Sequence, residues 1–214
     1  MNIKELTFPF VTLSRLRMGT DGPGVRTLVV GAGCPLRCRY CLNAFTWKQD
    51  CSFTSLTASR LYDLVKKDNL YFQATGGGIT FGGGEPLLYA PFIHEFSMLC
   101  RDKWKISVET SLNVPEHNQR IAMGCVDEFI VDIKDMNPVI YHNYTGGYNG
   151  RVIDGVKLLL NNLGPDRVLV RVPHIPGFNK PEDVALSMDK LRELGVERVD
   201  EFPYVLPKVY GEKI

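Results

Sequence analysis

No stretch of the sequence runs to about eighteen apolar residues, the length a helix needs to cross a bilayer. The first twenty residues scatter Lys4, Glu5, Arg15 and Arg17 among apolar neighbours, so the charged-then-apolar layout of a secretion signal is also missing. A cytoplasmic protein is expected. Charge of one sign is lacking too: 25 Lys and Arg against 24 Asp and Glu leave a net +1, without basic clusters. Neither nucleic acid nor an anionic membrane is therefore expected as a partner. Cysteine is sparse, six in 214 residues, which excludes a disulfide scaffold and fits thiols kept reduced. Internal repeats, low-complexity tracts and linkers are absent, so the sequence reads as one domain over residues 1–214. Its 44% hydrophobic composition suffices for one sizeable core.

What the sequence does contain is alternation. Short β-rich runs at Arg26–Gly31, Gly78–Gly82, Lys105–Thr110, Glu128–Asp132, Arg167–Val172 and Arg198–Phe202 predict strands. Segments of helical spacing fall between them at Thr57–Lys67, Pro91–Arg101, Pro115–Met123, Arg151–Leu160 and Pro181–Leu194, the last opened by Asn179 as N-cap. Parallel neighbours need a crossover long enough to hold a helix, so this order predicts an α/β fold with a mostly parallel sheet. Periodicity alone leaves open whether six such units curl into an open barrel or lie as a doubly wound sheet. In either form ligands gather at the carboxyl ends of the strands. That rim collects Cys34, the turn Gly83-Gly84-Glu85, Glu109-Thr110, Asp132 with Lys134, and Arg171.

The stretch GAGCPLRCRYCLN places Cys34, Cys38 and Cys41 within eight residues, with no fourth cysteine nearby. Soft thiolates select zinc, copper(I) or iron–sulfur clusters. A closed zinc site takes four protein ligands and a [4Fe–4S] cluster usually takes four cysteines. Three ligands leave one position open for a substrate or cofactor. Cys51, Cys100 and Cys125 read as packing thiols.

The spacing Cys34-x3-Cys38-x2-Cys41, with Tyr40 before the last cysteine, resembles the signature of the radical S-adenosylmethionine (SAM) enzymes. Further words narrow the resemblance: DGPGVR at Asp21–Arg26, GGGITFGGGEP at Gly76–Pro86, DIKDMN at Asp132–Asn137 and RVPHIPGFN at Arg171–Asn179. In this order, between about residues 20 and 204, they resemble the glycyl radical enzyme activating enzymes. The resemblance implies a partial (β/α)6 barrel holding one [4Fe–4S] cluster on Cys34, Cys38 and Cys41. Bound SAM is then cleaved and hydrogen is taken from a backbone glycine of a partner glycyl radical enzyme, with flavodoxin or ferredoxin as electron donor.

The same resemblance assigns further residues. Gly83, Gly84 and Glu85 serve the methionine end of SAM, and Tyr40 and Leu42 lie by its adenine or methionine portion. Asp132, Ile133 and Lys134 face its polar groups, with Lys134 counted as catalytic, and Arg171 contacts SAM or the partner. Glu109, where the family often has Asp, is expected with Asp132 to hold a monovalent cation. Asp21, Gly22, Pro23 and Gly24 form a lip that meets the partner, with Asp21 its exposed acid. Departures from the family pattern are Leu42 in place of His, Gly82 in place of Ser, and Val205 in place of His. These departures keep alive a radical SAM enzyme acting on a small molecule or peptide. A third reading is a zinc-binding interaction domain with Cys51 or a His as fourth ligand.

Overall fold

The computed structural model describes residues 5–100 and 102–205. Arg101, the expected end of a helix, lies outside these residues. In chain order the elements are β1 (Phe8–Arg17), β2 (Arg26–Gly31), β3 (Thr54–Leu56), α1 (Ala58–Val65), α2 (Asn69–Thr75), β4 (Gly78–Gly83), α3 (Ala90–Cys100), β5 (Lys105–Thr110), α4 (Glu116–Met123), β6 (Glu128–Asp132), α5 (Pro138–Thr145), α6 (Gly150–Leu163), β7 (Val168–His174), α7 (Pro181–Glu193) and β8 (Arg198–Pro203). All six expected strands and all five expected helices are present. The additions are β1, β3, α2 and α5. No helix among the described residues is long and apolar enough to cross a membrane.

The chain forms two compact units of interleaved segments. The first comprises the chain up to Cys34, Phe45–Thr110 and Val114–Ile130; the second comprises Pro35–Ala44, Ser111–Asn113 and the chain from Val131 on. Strand order is β3-β1-β2-β4-β5-β6 in the first and β6-β7-β8 in the second, β6 being divided between them. β2, β4 and β5 pair in parallel, as do β7 and β8, while β1 runs antiparallel to both β2 and β3. The sheet is mostly parallel and not closed, with β3 and β8 as its edges.

In the first unit every residue of β2 is buried, as a parallel strand covered on both faces requires. Phe8, fully buried at the start of β1, packs its ring against Phe81, Tyr89 and Phe92 at centroid distances of 5.5, 5.4 and 5.3 Å. Burying such a ring contributes about 2–3 kcal/mol. A charged group shares this interior. Arg26, 0% exposed at the first position of β2, donates from Nη2 to the Ile79 carbonyl at 2.7 Å and to Ser107 Oγ at 2.6 Å, and from Nε to Thr80 Oγ1 at 3.1 Å. Burial pulls its pKa down to about 10, against the opposing pull of Glu128, Asp127 and Asp21.

In the second unit, β7 alternates buried and half-buried side chains over most of its length, and α6 turns Val152, Val156 and Leu159 inward. Asn137 caps α5 by accepting from the Val139 amide, with Pro138 in the first turn. The expected Asn179 cap on α7 is corrected: Lys180 occupies that position, and Asp183 accepts from its amide at 2.9 Å. Asn179 is used elsewhere. Its Oδ1 accepts from the Ile175 amide at 2.6 Å, while Nδ2 donates to the Pro173 carbonyl and to Asp135 Oδ2 at 3.0 and 3.2 Å. Asp135, 1% exposed, also accepts from the Asn137 amide and from Ser187 Oγ. The two family words DIKDMN and RVPHIPGFN are thus joined by one buried network at the ends of β6 and β7.

Candidate functional site

Beyond the end of β2 the chain abandons regular structure, and Cys34 follows on half-buried backbone. The Gly83-Gly84-Glu85 turn after β4 is laced to this approach. The Gly84 amide donates to the Gly31 carbonyl at 3.0 Å and the Glu85 amide to the Gly33 carbonyl at 2.7 Å. A Cβ on Gly84 would collide with the Gly33 carbonyl oxygen, so bare backbone is required there.

Glu85 is held within the protein. Its side chain, expected beside a cofactor, is only 2% exposed. Oε1 accepts from the Leu87 amide at 3.1 Å and from the Thr110 hydroxyl at 2.7 Å. The carboxylate caps the turn that follows and binds it to the end of β5. Beside it, Glu109 is half-buried, and its Oε2 lies 3.1 Å from the place a Cβ on Gly82 would take.

The lip preceding β2 is also differently built from the expectation. Asp21, read as an exposed acid, is 0% exposed. It is ion-paired with Arg17, accepts from Arg17 Nη2 at 2.9 Å and from the Thr20 hydroxyl at 2.6 Å, and its carbonyl accepts from Thr80 Oγ1. The cause is the bend at the end of β1, which brings Arg17 back over the carboxylate. Gly22 lies against the buried charges beneath, where a Cβ would stand 2.8 Å from Glu128 Oε2. The exposed part of the lip is Pro23, flanked by half-buried Gly22 and Gly24.

The second unit carries the rest of the cysteine loop. The Arg37 amide donates to the Thr145 carbonyl at 2.8 Å and the Arg39 amide to the Tyr144 carbonyl at 3.0 Å, docking the loop on the end of α5. The Tyr40 ring stands edge-on to Phe178 and Tyr144, at 5.5 and 6.1 Å. Cys38 and Cys41 are half-buried and Leu42 is 61% exposed.

At the end of β6, Asp132 Oδ2 accepts from Lys134 Nζ at 3.1 Å, and Asp132 Oδ1 lies 3.4 Å from Arg171 Nε. Burial alone disfavours both charges of the Lys134–Asp132 pair. Asp132, with smaller help from Cys38 and Tyr204, outweighs it and holds the Lys134 pKa above the usual ammonium value. Lys134 and Arg171 hold Asp132 below the usual carboxylate value. Between Asp132 and Lys134, Ile133 has a fully buried side chain, and its amide donates to the Arg171 carbonyl at 3.1 Å.

The three loop thiols fit a cluster in their chemistry. None is in a disulfide, none is on a helix or strand, and each is partly accessible. Burial pushes the Cys38 thiol up to about 11 despite the pull of Lys134, so thiolate is favoured there only with a cationic metal as partner. Among the described residues no three His, Cys, Asp or Glu side chains converge tightly enough for a single ion. Cys100 is buried, and burial pushes its thiol and that of Cys125 up to about 12, which suits inert packing groups.

A family profile described as the radical SAM superfamily matches residues 28–191. The pyruvate formate-lyase-activating enzyme of Listeria monocytogenes is 34% identical over 209 residues, covering 92% of this chain and 82% of that one. The pyruvate formate-lyase 1-activating enzyme of Escherichia coli strain K12 is 30% identical over 192 residues, covering 86 and 76%. The chain belongs to the radical SAM superfamily and, within it, to the family of the pyruvate formate-lyase-activating enzymes. It is a radical SAM enzyme. In fold it is similar to Streptococcus suis SuiB, solved bound to S-adenosylmethionine, with a TM-score of 0.64 at 15% identity over 83% of this chain and 40% of that one. The partial barrel expected from the sequence agrees with the open, mostly parallel sheet and with this neighbour.

Sequence reasoning missed Tyr204 and the Asp135–Asn179 pair. Asp135 and Asn179 lie inside family words and Tyr204 stands next to the departure at Val205, and that placement was the available signal.

Proposed function

We propose that this enzyme activates a glycyl radical enzyme of the pyruvate formate-lyase type by removing a hydrogen atom from a backbone glycine of that partner. The reading rests on the 34% identity to an activating enzyme across 92% of the chain. Cys34, Cys38 and Cys41 would hold a single [4Fe–4S] cluster, to which the amino and carboxylate groups of SAM would bind. When bound and reduced, the cluster supplies the one electron that splits SAM into methionine and a 5′-deoxyadenosyl radical.

The protein's own part is to bind and orient. Lys134, kept charged by Asp132, meets the carboxylate of the methionine moiety. The carbonyls of the Gly83-Gly84 turn accept from its ammonium group, Tyr40 and Leu42 flank the nucleoside, and Arg171 steadies SAM or the partner's glycine loop. Glu109 and Asp132 offer oxygen ligands to a monovalent cation. The lip at Gly22, Pro23 and Gly24 meets the partner, with Asp21 acting from within. A cytoplasmic location and a flavodoxin or ferredoxin donor complete the reading.

The test is anaerobic reconstitution, reduction and incubation with SAM and a candidate partner. A glycyl radical doublet in electron paramagnetic resonance supports the reading. SAM cleavage without that doublet for any cognate partner directs it toward a small-molecule or peptide substrate, and a colourless zinc protein overturns it.

A further inference from the structure

The geometry points to Tyr204 as a positioning residue that shapes the Cys38–Cys41 half of the cysteine loop before any metal is present. The inference rests on the reading of that loop as the cluster loop and deepens it.

Tyr204 follows β8, and its amide donates to the His174 carbonyl at 3.0 Å, fixing its backbone to the end of β7. From there its hydroxyl donates to the Tyr40 carbonyl, the peptide group immediately before Cys41. The phenol ring packs edge-on to Tyr144 at 6.5 Å, and Tyr144 packs edge-on to Phe178 at 5.0 Å. Two other attachments of this segment, at Arg37 and Arg39, are main chain to main chain on the end of α5 and lie on the Cys38 side. The Tyr204 hydroxyl makes a side-chain hydrogen bond that reaches across to the Cys41 side. Beyond Tyr40, the Cys41 amide donates to the Cys38 carbonyl and the Ala44 amide to the Cys41 carbonyl, both at 3.3 Å and both within the turn. Such long, local bonds hold a turn weakly, whereas a bond to a side chain anchored on another strand fixes it against the sheet.

The consequence concerns assembly. A loop whose two thiols are already presented loses less conformational entropy on binding iron than a loose one.

The experiment is hydrogen exchange on the metal-free protein, comparing wild type with Tyr204→Phe, which deletes the hydroxyl and keeps the ring. Exchange of the amides between Cys38 and Ala44 is expected to rise about fivefold, as the loss of one net hydrogen bond allows, with the rest of the second unit unchanged. After reconstitution, the variant's cluster is expected to lose iron to a chelator several-fold faster at an unchanged thermal midpoint. Unchanged exchange in this segment overturns the proposal, and so does a rise spread evenly over the whole unit, which marks general loosening. Because the exchange readout needs no iron, a wild-type protein that fails to take up a cluster sinks the proposed function without touching this result.

Discussion

Glu109 Oε2 lies 3.1 Å from the point where a side chain on Gly82 would begin. Each residue departs from its family pattern, Ser at 82 and Asp at 109, and the two departures are complementary in volume. The longer acid fills the space that the missing side chain vacates.

A double-mutant cycle tests this. Gly82→Ser alone is expected to destabilise by about 1–2 kcal/mol through crowding. Combined with Glu109→Asp it is expected to recover about 1 kcal/mol. Urea unfolding of the four proteins measures the coupling, and strict additivity would remove it.

Lys134→Ala is expected to weaken SAM binding about 10- to 100-fold, the worth of a charged hydrogen bond, while iron content stays at the wild-type level. The pH dependence follows from the pair. Lys134, raised in the fold, contributes fully below its ordinary value of 10.5 and fades only as pH climbs through its higher folded value. Asp132, lowered in the fold, contributes above its ordinary value of 3.8 and fades as pH falls through its lower folded value. Binding titrations are therefore expected to show no step from this pair between about pH 5 and 9.

Cys38→Ala is expected to abolish cluster assembly, and Cys100→Ala to leave it intact at a stability cost of about 1 kcal/mol. Iron per chain after anaerobic reconstitution separates the two. Equal loss in both variants would contradict the assignment of the ligands.

Glu85→Ala removes a cap and a buried acceptor, and is expected to cost about 2 kcal/mol; Thr110→Val, which removes only the donor, about 1 kcal/mol. Chemical denaturation reads both. A Glu85→Ala protein of wild-type stability that failed to bind SAM would instead return the carboxylate to the cofactor.

Asn179→Ala takes three hydrogen bonds from a buried network and leaves Asp135 under-satisfied. A loss of about 2–3 kcal/mol is expected, read as a drop in thermal midpoint, with iron content per folded chain unchanged.

Much of the fold is legible in the sequence because the strands that bear the rim residues are short apolar runs bounded by glycine, proline or charge. β1 escapes that reading: Thr12, Ser14 and Arg15 interrupt its apolar pattern, and it pairs antiparallel, outside the strand–helix alternation. α5 is hidden because it follows β6 after only a short turn, leaving no run of helical spacing long enough to count. At the site, the residue types and their order were readable, but the aim of each side chain was not. Asp21 turns inward because Arg17 meets it, Glu85 because Thr110 does, 25 residues away in sequence. Residue type and spacing carry no record of how a local bend turns Arg17 onto Asp21, nor of a partner as distant as Thr110.

Arg26 carries one last consequence. Its Nε and Nη2 find acceptors only when β2, β4 and β5 stand in the alignment that sets Ile79, Thr80 and Ser107 around them. A sheet assembled one residue out of step would strand a cation in apolar surroundings and turn its hydrogen-bonding neighbours to the opposite face. The buried arginine thus ties the native strand alignment to a charge that any other alignment would leave without these acceptors.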